Sequence, residues 1–273
     1  MKILVCFKTV PDLEMLSEED WAVDSNLAVD VSFVKNILNC FDESALEMTL
    51  KLSEYSESFN ESLTLTALTI GDKKAEMFLK TLYALKFQKA VRIENNEDVR
   101  FFPEVIAAVI AQYVEKINNQ DVVVLGRQSG EGDNAKTPLL VAEMLGWPCI
   151  TQVINIEPSQ EERLRVTSMV EGGTLIQVID TPCVLSVGNA PVSYLRVPTL
   201  KDKMSYGKRA IEVLNINVFN IASLLNKCYH EYQLIGLEKI SNHRAGILIE
   251  GATTAEKAKK LYDHYLKERL EKQ

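Results

Sequence analysis

Residues 121–138, DVVVLGRQSGEGDNAKTP, constrain the fold more than any other stretch of the chain. The first five are a short β-branched apolar run, the kind found in strands buried on both faces of a parallel sheet. Gly126 ends the run, and Gly130 and Gly132 keep the next residues small and flexible. Asp133, Asn134 and Thr137 are good helix N-caps, and Pro138 suits a first helical turn. From Leu139 the pattern LLVAEML is helical. Strand, glycine-containing loop and helix N-terminus in this order make a site for a phosphate, because unpaired N–H groups and the helix dipole converge there. The segment is neither GxGxxG nor a P-loop, so an ordinary βα turn explains the local spacing equally well.

The chain around it alternates. Residues 3–7 read as a buried strand, followed by a polar loop from Lys8 with Pro11 as a breaker. Residues 21–30 read as a hairpin-like excursion. Asp42 is the expected N-cap of a helix over 43–55. Residues 63–70 form a second core strand closed by Gly71 and Asp72, 74–85 an amphipathic helix, and 89–93 a third strand. Pro103 opens an apolar helix that feeds the strand at 121. This rhythm predicts an α/β fold with a doubly wound parallel sheet of the Rossmann-like, nucleotide-binding sort. Ligands on such sheets sit beyond the carboxyl ends of the strands, where the order reverses. The loops after Phe7, Ile70 and Leu125, with the 39–42 turn, are therefore expected to share one crevice.

Three strand-like runs follow at 149–156, 164–169 and 173–178, and they read as an antiparallel excursion with 171–173 as a turn. Residues 183–187 are a further core strand. Residues 192–208 carry Pro, Lys, Arg and Tyr without convincing periodicity and read as an exposed arm, and 209–246 suggest no element. Residues 247–251 look extended, and Thr253 with Glu256 has capping-box spacing at the start of a terminal helix. The expected organisation is a nucleotide-binding domain over 1–190 and a docking loop with a C-terminal arm over 191–273.

Charge and cysteines narrow the function classes. A formal net charge of -8 argues against nucleic acid or an anionic membrane as the main partner. The five cysteines are scattered, which suits free thiols in a reducing compartment and shows no zinc or iron–sulfur spacing. The opening MKILVCF reads directly as a strand rather than a signal peptide, and no apolar run approaches the roughly 18 residues of a membrane span. A cytoplasmic location is expected. All three histidines fall in the last fifth, and no Ser/His/Asp order or Cys/His pairing is evident.

Several motifs, in a fixed order along nearly the whole chain, resemble one family. They are ILVCFKTVPD, NCFDESALE, LTIGDKKAE, DVVVLGRQSGEGDNAKTP, VEGG, LSVGNAPVSYLRVPTLK and GILIEGATTAEKAKKL. Together they are similar to the beta subunit of electron transfer flavoprotein, including its FixA-type members. The resemblance implies an adenine-nucleotide-binding fold and an alpha subunit that holds FAD. In the simpler members the beta subunit carries AMP, and in the electron-bifurcating members a second FAD. The form GDNAKT resembles the latter group and favours FAD. Ser129 and Gly130 depart from the family's Ala-Ile, and Cys40 stands where the family has proline.

The same resemblance implies the site. Backbone groups at Cys6 and Lys8 would meet adenine or ribose, and Asn39 and Asp42 would bond ribose hydroxyls or the adenine edge. Gly71, Gly126 and Gln128 belong to the same set. The amides of Asn134, Ala135, Lys136 and Thr137, following Gly132 and Asp133, would hold phosphate oxygens. Arg127 would steady flavin or phosphate charge. Each has a plainer reading: Cys6 as a small core residue, Asp42 as a helix cap, Arg127 as a surface partner of Glu131, Asp133 as a cap. Arg196, Val197, Pro198 and Lys201 would form the docking loop toward an acyl-CoA dehydrogenase-like or other flavin dehydrogenase, with Val197 as apolar anchor. The chain would then be an electron carrier whose flavin does the redox chemistry. Two other classes share parts of the pattern. Regulatory proteins of universal-stress type are shorter and lack the 192–208 arm. ATP pyrophosphatases want an SGGxDS-like loop where this chain has Lys8-Thr9-Val10-Pro11.

Overall fold

β1 (Lys2–Cys6) is buried on both faces, with Ile3 and Val5 in one apolar cluster and Leu4 and Cys6 in another. That division follows from the two-residue repeat of a strand and makes β1 the middle layer of a three-layer fold. The computed structural model describes residues 1–58, 62–95, 97–130, 132–160, 163–191, 193–239 and 246–271. These form two compact units, Met1–Ile235 and Gly236–Gln273. Among the described residues no helix is long and apolar enough to cross a membrane.

In the first unit β1 pairs in parallel with β4 (Thr64–Gly71) on one side and β6 (Val122–Gly126) on the other. Beyond β4 lie β5 (Lys89–Glu94) and β11 (Glu212–Asn215), both parallel. Beyond β6 lie β10 (Cys183–Val187) and β7 (Cys149–Pro158), again parallel. The sheet then turns antiparallel through β8 (Leu164–Val170) to β9 (Gly173–Ile179), as the alternation there predicts. The whole order is β11-β5-β4-β1-β6-β10-β7-β8-β9. The chain runs outward from β1 through β4 and β5 and then crosses to β6, so the switch point lies between β1 and β6.

Helices cover both faces. α1 (Cys40–Ser58) and α2 (Glu76–Ala84) bury Leu46, Leu79 and Leu82 in the Ile3 cluster. α3 (Pro103–Gln112), α4 (Thr137–Leu145) and α6 (Ala222–Glu231) bury Val109, Val141 and Cys228 in the Leu4 cluster. A small antiparallel ribbon of β2 (Thr9–Pro11) and β3 (Asn36–Leu38) brackets the 21–30 excursion, which is reduced to one bridge between Val23 and Val29.

Three expectations need correction. Asp42 does not cap a helix: α1 starts two residues before it, at Cys40, and the carboxylate is turned inward to other donors described below. The residues proposed as caps of α4 do not cap it, because the helix begins at Thr137 and its N-cap position, Lys136, makes no side-chain cap bond. The region after 191 is not all arm. Thr199 caps a short helix α5 (Leu200–Tyr206), which packs against α2, and β11 returns to the sheet edge, so the first unit continues past 190 to Ile235. Seven helical residues and four strand residues are too few to show a period in the sequence. Val192 itself lies outside the described residues.

In the second unit Thr253 caps α7 (Thr254–Leu261) by accepting from the Glu256 amide, and Glu256 reaches back one residue past the cap to accept from the Ala252 amide at 3.0 Å. A wider turn, Tyr262–Leu266, leads to α8 (Lys267–Leu270). The extended piece expected at 247–251 pairs with no strand among the described residues.

Candidate functional site

The loops leaving the carboxyl ends of β1, β4, β5 and β6 enclose a cavity of about 470 Å³. This is within the usual size range of small-molecule and cofactor sites. Of the residues singled out from the sequence, Cys6, Lys8, Asn39, Asp42, Gly71, Gly126, Arg127, Gln128, Asn134 and Thr137 line it. Gly132, Asp133, Ala135 and Lys136 do not reach its surface but shape the loop behind it.

Asp42 ties the two central strands together at their ends. Its Oδ2 accepts from the Lys8 amide at 2.9 Å and from Asn39 Nδ2 at 3.0 Å, and its Oδ1 accepts from the Gly126 amide at 2.8 Å. The three donors offer more than one cap bond, which is why the carboxylate faces inward. Asn39 extends the network by donating to the Gln128 carbonyl at 2.8 Å. Burial pushes the Asp42 carboxyl up from 3.8 to about 6, against the pull of the donors. Burial, reinforced by Asp42, also pushes the Cys6 thiol far up, so Cys6 serves as a small wall residue and not as a thiolate.

Gly126 is required by this approach. A Cβ there would stand 2.4 Å from Asp42 Oδ1 and 2.8 Å from the Asp42 nitrogen. Past it the chain coils through left-handed positions at Gly132 (φ +84°), Asp133 (φ +33°) and Ala135 (φ +52°). Side chains hold that conformation: Gln128 Nε2 donates to Asp133 Oδ1 at 2.8 Å, and Asn134 Oδ1 accepts from the Lys136 amide at 3.0 Å. Such turns gather amide groups into a concave anion-binding surface. The uncapped start of α4 adjoins it, with Pro138 in the first turn and Thr137 at the cavity.

Arg127 lies with its guanidinium over the Phe41 ring at 4.9 Å and donates to Gln152 Oε1 at 3.3 Å. Its buried Nε has no hydrogen-bond partner among the described residues. A buried donor left unpaired is costly, and this one lies out of reach of solvent. Glu131, the surface partner considered for Arg127, lies outside the described residues.

Sequence reading missed the loop after β5. Glu97, Asp98, Val99 and Arg100 form one wall, with Pro103 and Ile106 of α3 below. Arg100 donates to both oxygens of Asp98, at 2.9 and 2.7 Å, and holds that carboxyl below the usual range. The signal was topological: β5 is parallel to β4, so its carboxyl-end loop had to open on the same crevice.

A family model described as electron transfer flavoprotein domain matches residues 27–218, well over half of the chain. The chain is a beta-type member of the electron transfer flavoprotein family. A putative electron transfer flavoprotein subunit, YgcR of Escherichia coli K12, is 34% identical over 99% of this chain and 100% of its own length. The acryloyl-CoA reductase electron transfer subunit gamma of Anaerotignum propionicum is 27% identical over 99% of this chain and 100% of its own. A caffeyl-CoA reductase-Etf complex subunit of Acetobacterium woodii, CarD, is 27% identical over 68% of each chain.

In this electron transfer flavoprotein chain the segment after β10 is pinned by acids of α1. Glu43 accepts from the Leu195 amide at 3.0 Å, and Glu47 accepts from the Arg196 amide at 3.0 Å. The Arg196 guanidinium pairs with Glu47 at 2.7 Å and with Glu54. Val197 is 83% exposed and Lys201 is exposed as well, while Pro198 is buried. Arg196→Ala strips Glu47, whose side chain is 6% exposed, of its cation. Breaking a buried pair costs several kcal/mol, but Arg196 is itself a third exposed, so a loss of about 2 kcal/mol is expected. Urea unfolding measures it, and an unchanged midpoint would remove Arg196 as the loop's anchor.

Proposed function

We propose that this chain is the beta subunit of a heterodimeric electron transfer flavoprotein, passing electrons between a flavin dehydrogenase and an acceptor, with an adenine cofactor in its cavity. The observation that carries the reading is the cavity at the carboxyl ends of the central strands, with the start of α4 on its lining. Asn134 of the coiled loop, Thr137 at the uncapped start of α4 and Arg127 all line that cavity, with Gly132, Asp133 and Ala135 shaping the turn behind it. These donors suit a phosphate or diphosphate. Asn39 and Asp42, hydrogen-bonded to Gln128 and Gly126, line the same cavity together with Lys8 and are suited to ribose hydroxyls and the adenine edge. The likeness of GDNAKT to the bifurcating branch favours FAD over AMP as the occupant.

Bound flavin supplies the redox chemistry. The residues of this chain orient the cofactor, offer donors to its phosphates and keep an apolar floor of Ile70, Leu125 and Ile110 beneath it. An alpha subunit holding FAD would complete the carrier. The second unit offers a surface for it: Leu261, Tyr262, Tyr265 and Leu266 are exposed on one helical stripe, and an unpartnered apolar stripe marks an interaction face. The exposed Val197 with Lys201 is the proposed contact for an acyl-CoA dehydrogenase-like partner. Relatives named for acryloyl-CoA and caffeyl-CoA reductases point to the same class of CoA-thioester flavoenzymes.

Flavin and AMP contents of the purified heterodimer test this. Two flavins without AMP are expected if FAD fills the cavity. One flavin with one AMP would transfer the site to the simpler form, and a colourless chain that takes up no alpha partner would end the reading.

A further inference from the structure

Residues 97–100 line one part of the cavity, and the hydrogen bonds described within them are local. Asn95 donates to the Glu97 carbonyl at 2.8 Å and accepts from the Glu97 amide at 3.1 Å. Arg100 grips Asp98, and the Phe102 amide donates to the Val99 carbonyl at 3.0 Å. Bonds between residues two or three apart shape a loop without fixing where it stands on the sheet. That position matters, because the loop 126–137 leans on it: a Cβ at Gly132 would stand 2.7 Å from the Arg100 carbonyl oxygen. The two loops meet without slack, so a shift of the wall moves the turn that gathers the amides.

Besides the Lys8 charge that acts on Asp98, a tie to the wall comes from far along the chain. Tyr229, near the end of α6, brings its hydroxyl within 3.3 Å of both Glu97 Oε2 and the Asp98 carbonyl. Its ring meets Phe102 edge-on, with centroids 5.0 Å apart at 88°. Such edge-to-face pairs add to the burial of their area. Tyr232 packs against the same Phe102 ring at 6.4 Å. α6 is itself anchored in the core by Cys228 and, just before the helix, Ile221.

We propose that Tyr229 is a positioning residue of the nucleotide cavity, acting through Phe102 and the 97–100 wall to hold the loop at Gly132 in its binding conformation. The proposal rests on the reading of the cavity as an adenine-nucleotide site. Tyr229→Phe keeps the aromatic contact and removes only the hydroxyl. Loss of one such bond is worth roughly a three- to tenfold weakening of ligand affinity.

The test uses the full chain freed of nucleotide, with AMP as the probe in calorimetry and hydrogen–deuterium exchange on the same samples. Tyr232→Phe, which removes a hydroxyl from the same aromatic cluster, is the control. Support consists of three- to tenfold weaker AMP binding by Tyr229→Phe, faster exchange confined to residues 97–102 and 132–137, an unchanged melting temperature, and a control that matches wild type. Wild-type affinity and exchange in Tyr229→Phe would overturn the positioning role while leaving the nucleotide reading in place. A general rise in exchange with a lowered melting temperature would reduce Tyr229 to a structural residue and likewise overturn it. Failure of the wild-type chain to take up AMP or FAD would overturn the nucleotide reading, and the proposal with it.

Discussion

Gly126→Ala is expected to leave a chain that purifies without cofactor and unfolds about 2–6 kcal/mol more easily than wild type. The added methyl would meet Asp42 Oδ1 at 2.4 Å, the Asp42 nitrogen at 2.8 Å and the Phe41 carbonyl carbon at 2.8 Å. Two of these are backbone atoms at the start of α1, so no side-chain rotation relieves the contact. Either β6 withdraws from β1 at its carboxyl end or α1 is pushed away. Each route breaks the 2.8 Å bond from the Gly126 amide to Asp42 and leaves a buried carboxylate short of a donor. Overpacking costs about 1–3 kcal/mol and the stranded acceptor a similar amount, which gives the sum above. The loop that follows begins from the displaced residue, so its amides no longer converge. Urea unfolding and cofactor content measure the two effects. A variant of wild-type stability with a full complement of cofactor would show that the close approach of α1 to β6 is not what builds the site.

Asp42→Asn is expected to change how stability depends on pH. In the folded chain the Asp42 carboxyl holds its proton up to about 6, against 3.8 as the ordinary value, because burial disfavours its charge. The folded state therefore binds more protons than the unfolded one between these values. The contribution of Asp42 is complete below about 3.8 and is lost as pH rises through about 6, a span worth roughly 3 kcal/mol. Asparagine has no such titration. The difference in unfolding free energy, wild type minus Asp42→Asn, is expected to fall by roughly 2.4 kcal/mol between pH 4 and 7. The neighbours that face the carboxyl are the Lys8 and Gly126 amides, the Asn39 side chain, the Lys8 charge and the Cys6 thiol. At neutral pH the variant also replaces an acceptor by a donor among three N–H groups, which costs about 1–3 kcal/mol for each group left unpaired. A flat difference across that interval would show that Asp42 is ionised throughout and does not titrate near neutrality.

The parallel sheet was legible because each core strand is apolar on both faces and each helix carries its own spacing. The run at 183–187 matches β10 residue for residue, and the antiparallel excursion appeared as three strands with Glu171, Gly172 and Gly173 at the last turn. The site was legible wherever a rule of topology located a loop. The loops after β1, β4 and β6 lie on the cavity, and so does the one after β5, which the same rule covered. Short elements were hidden. α5 and β11 owe their structure to packing on α2 and pairing with β5, and neither run is long enough to display a period.

Side-chain roles divided differently. Asp42 satisfies every local preference for a helix cap, and Asp133 and Asn134 do so as well. A capping residue and a cross-strand tie have the same composition and differ only in which amides come within 3 Å, and those amides belong to residues 34 and 84 positions away. Order along the chain thus determined the layered fold, the family and the edge of the sheet where a ligand would lie, because periodicity and strand direction are local properties. Tertiary structure alone decided that Asp42 joins β1 to β6, that Arg127 lies over the Phe41 ring, and that α6 reaches the wall at 97–100. Distances between residues remote in the chain are set by how the layers pack, and no local pattern encodes them.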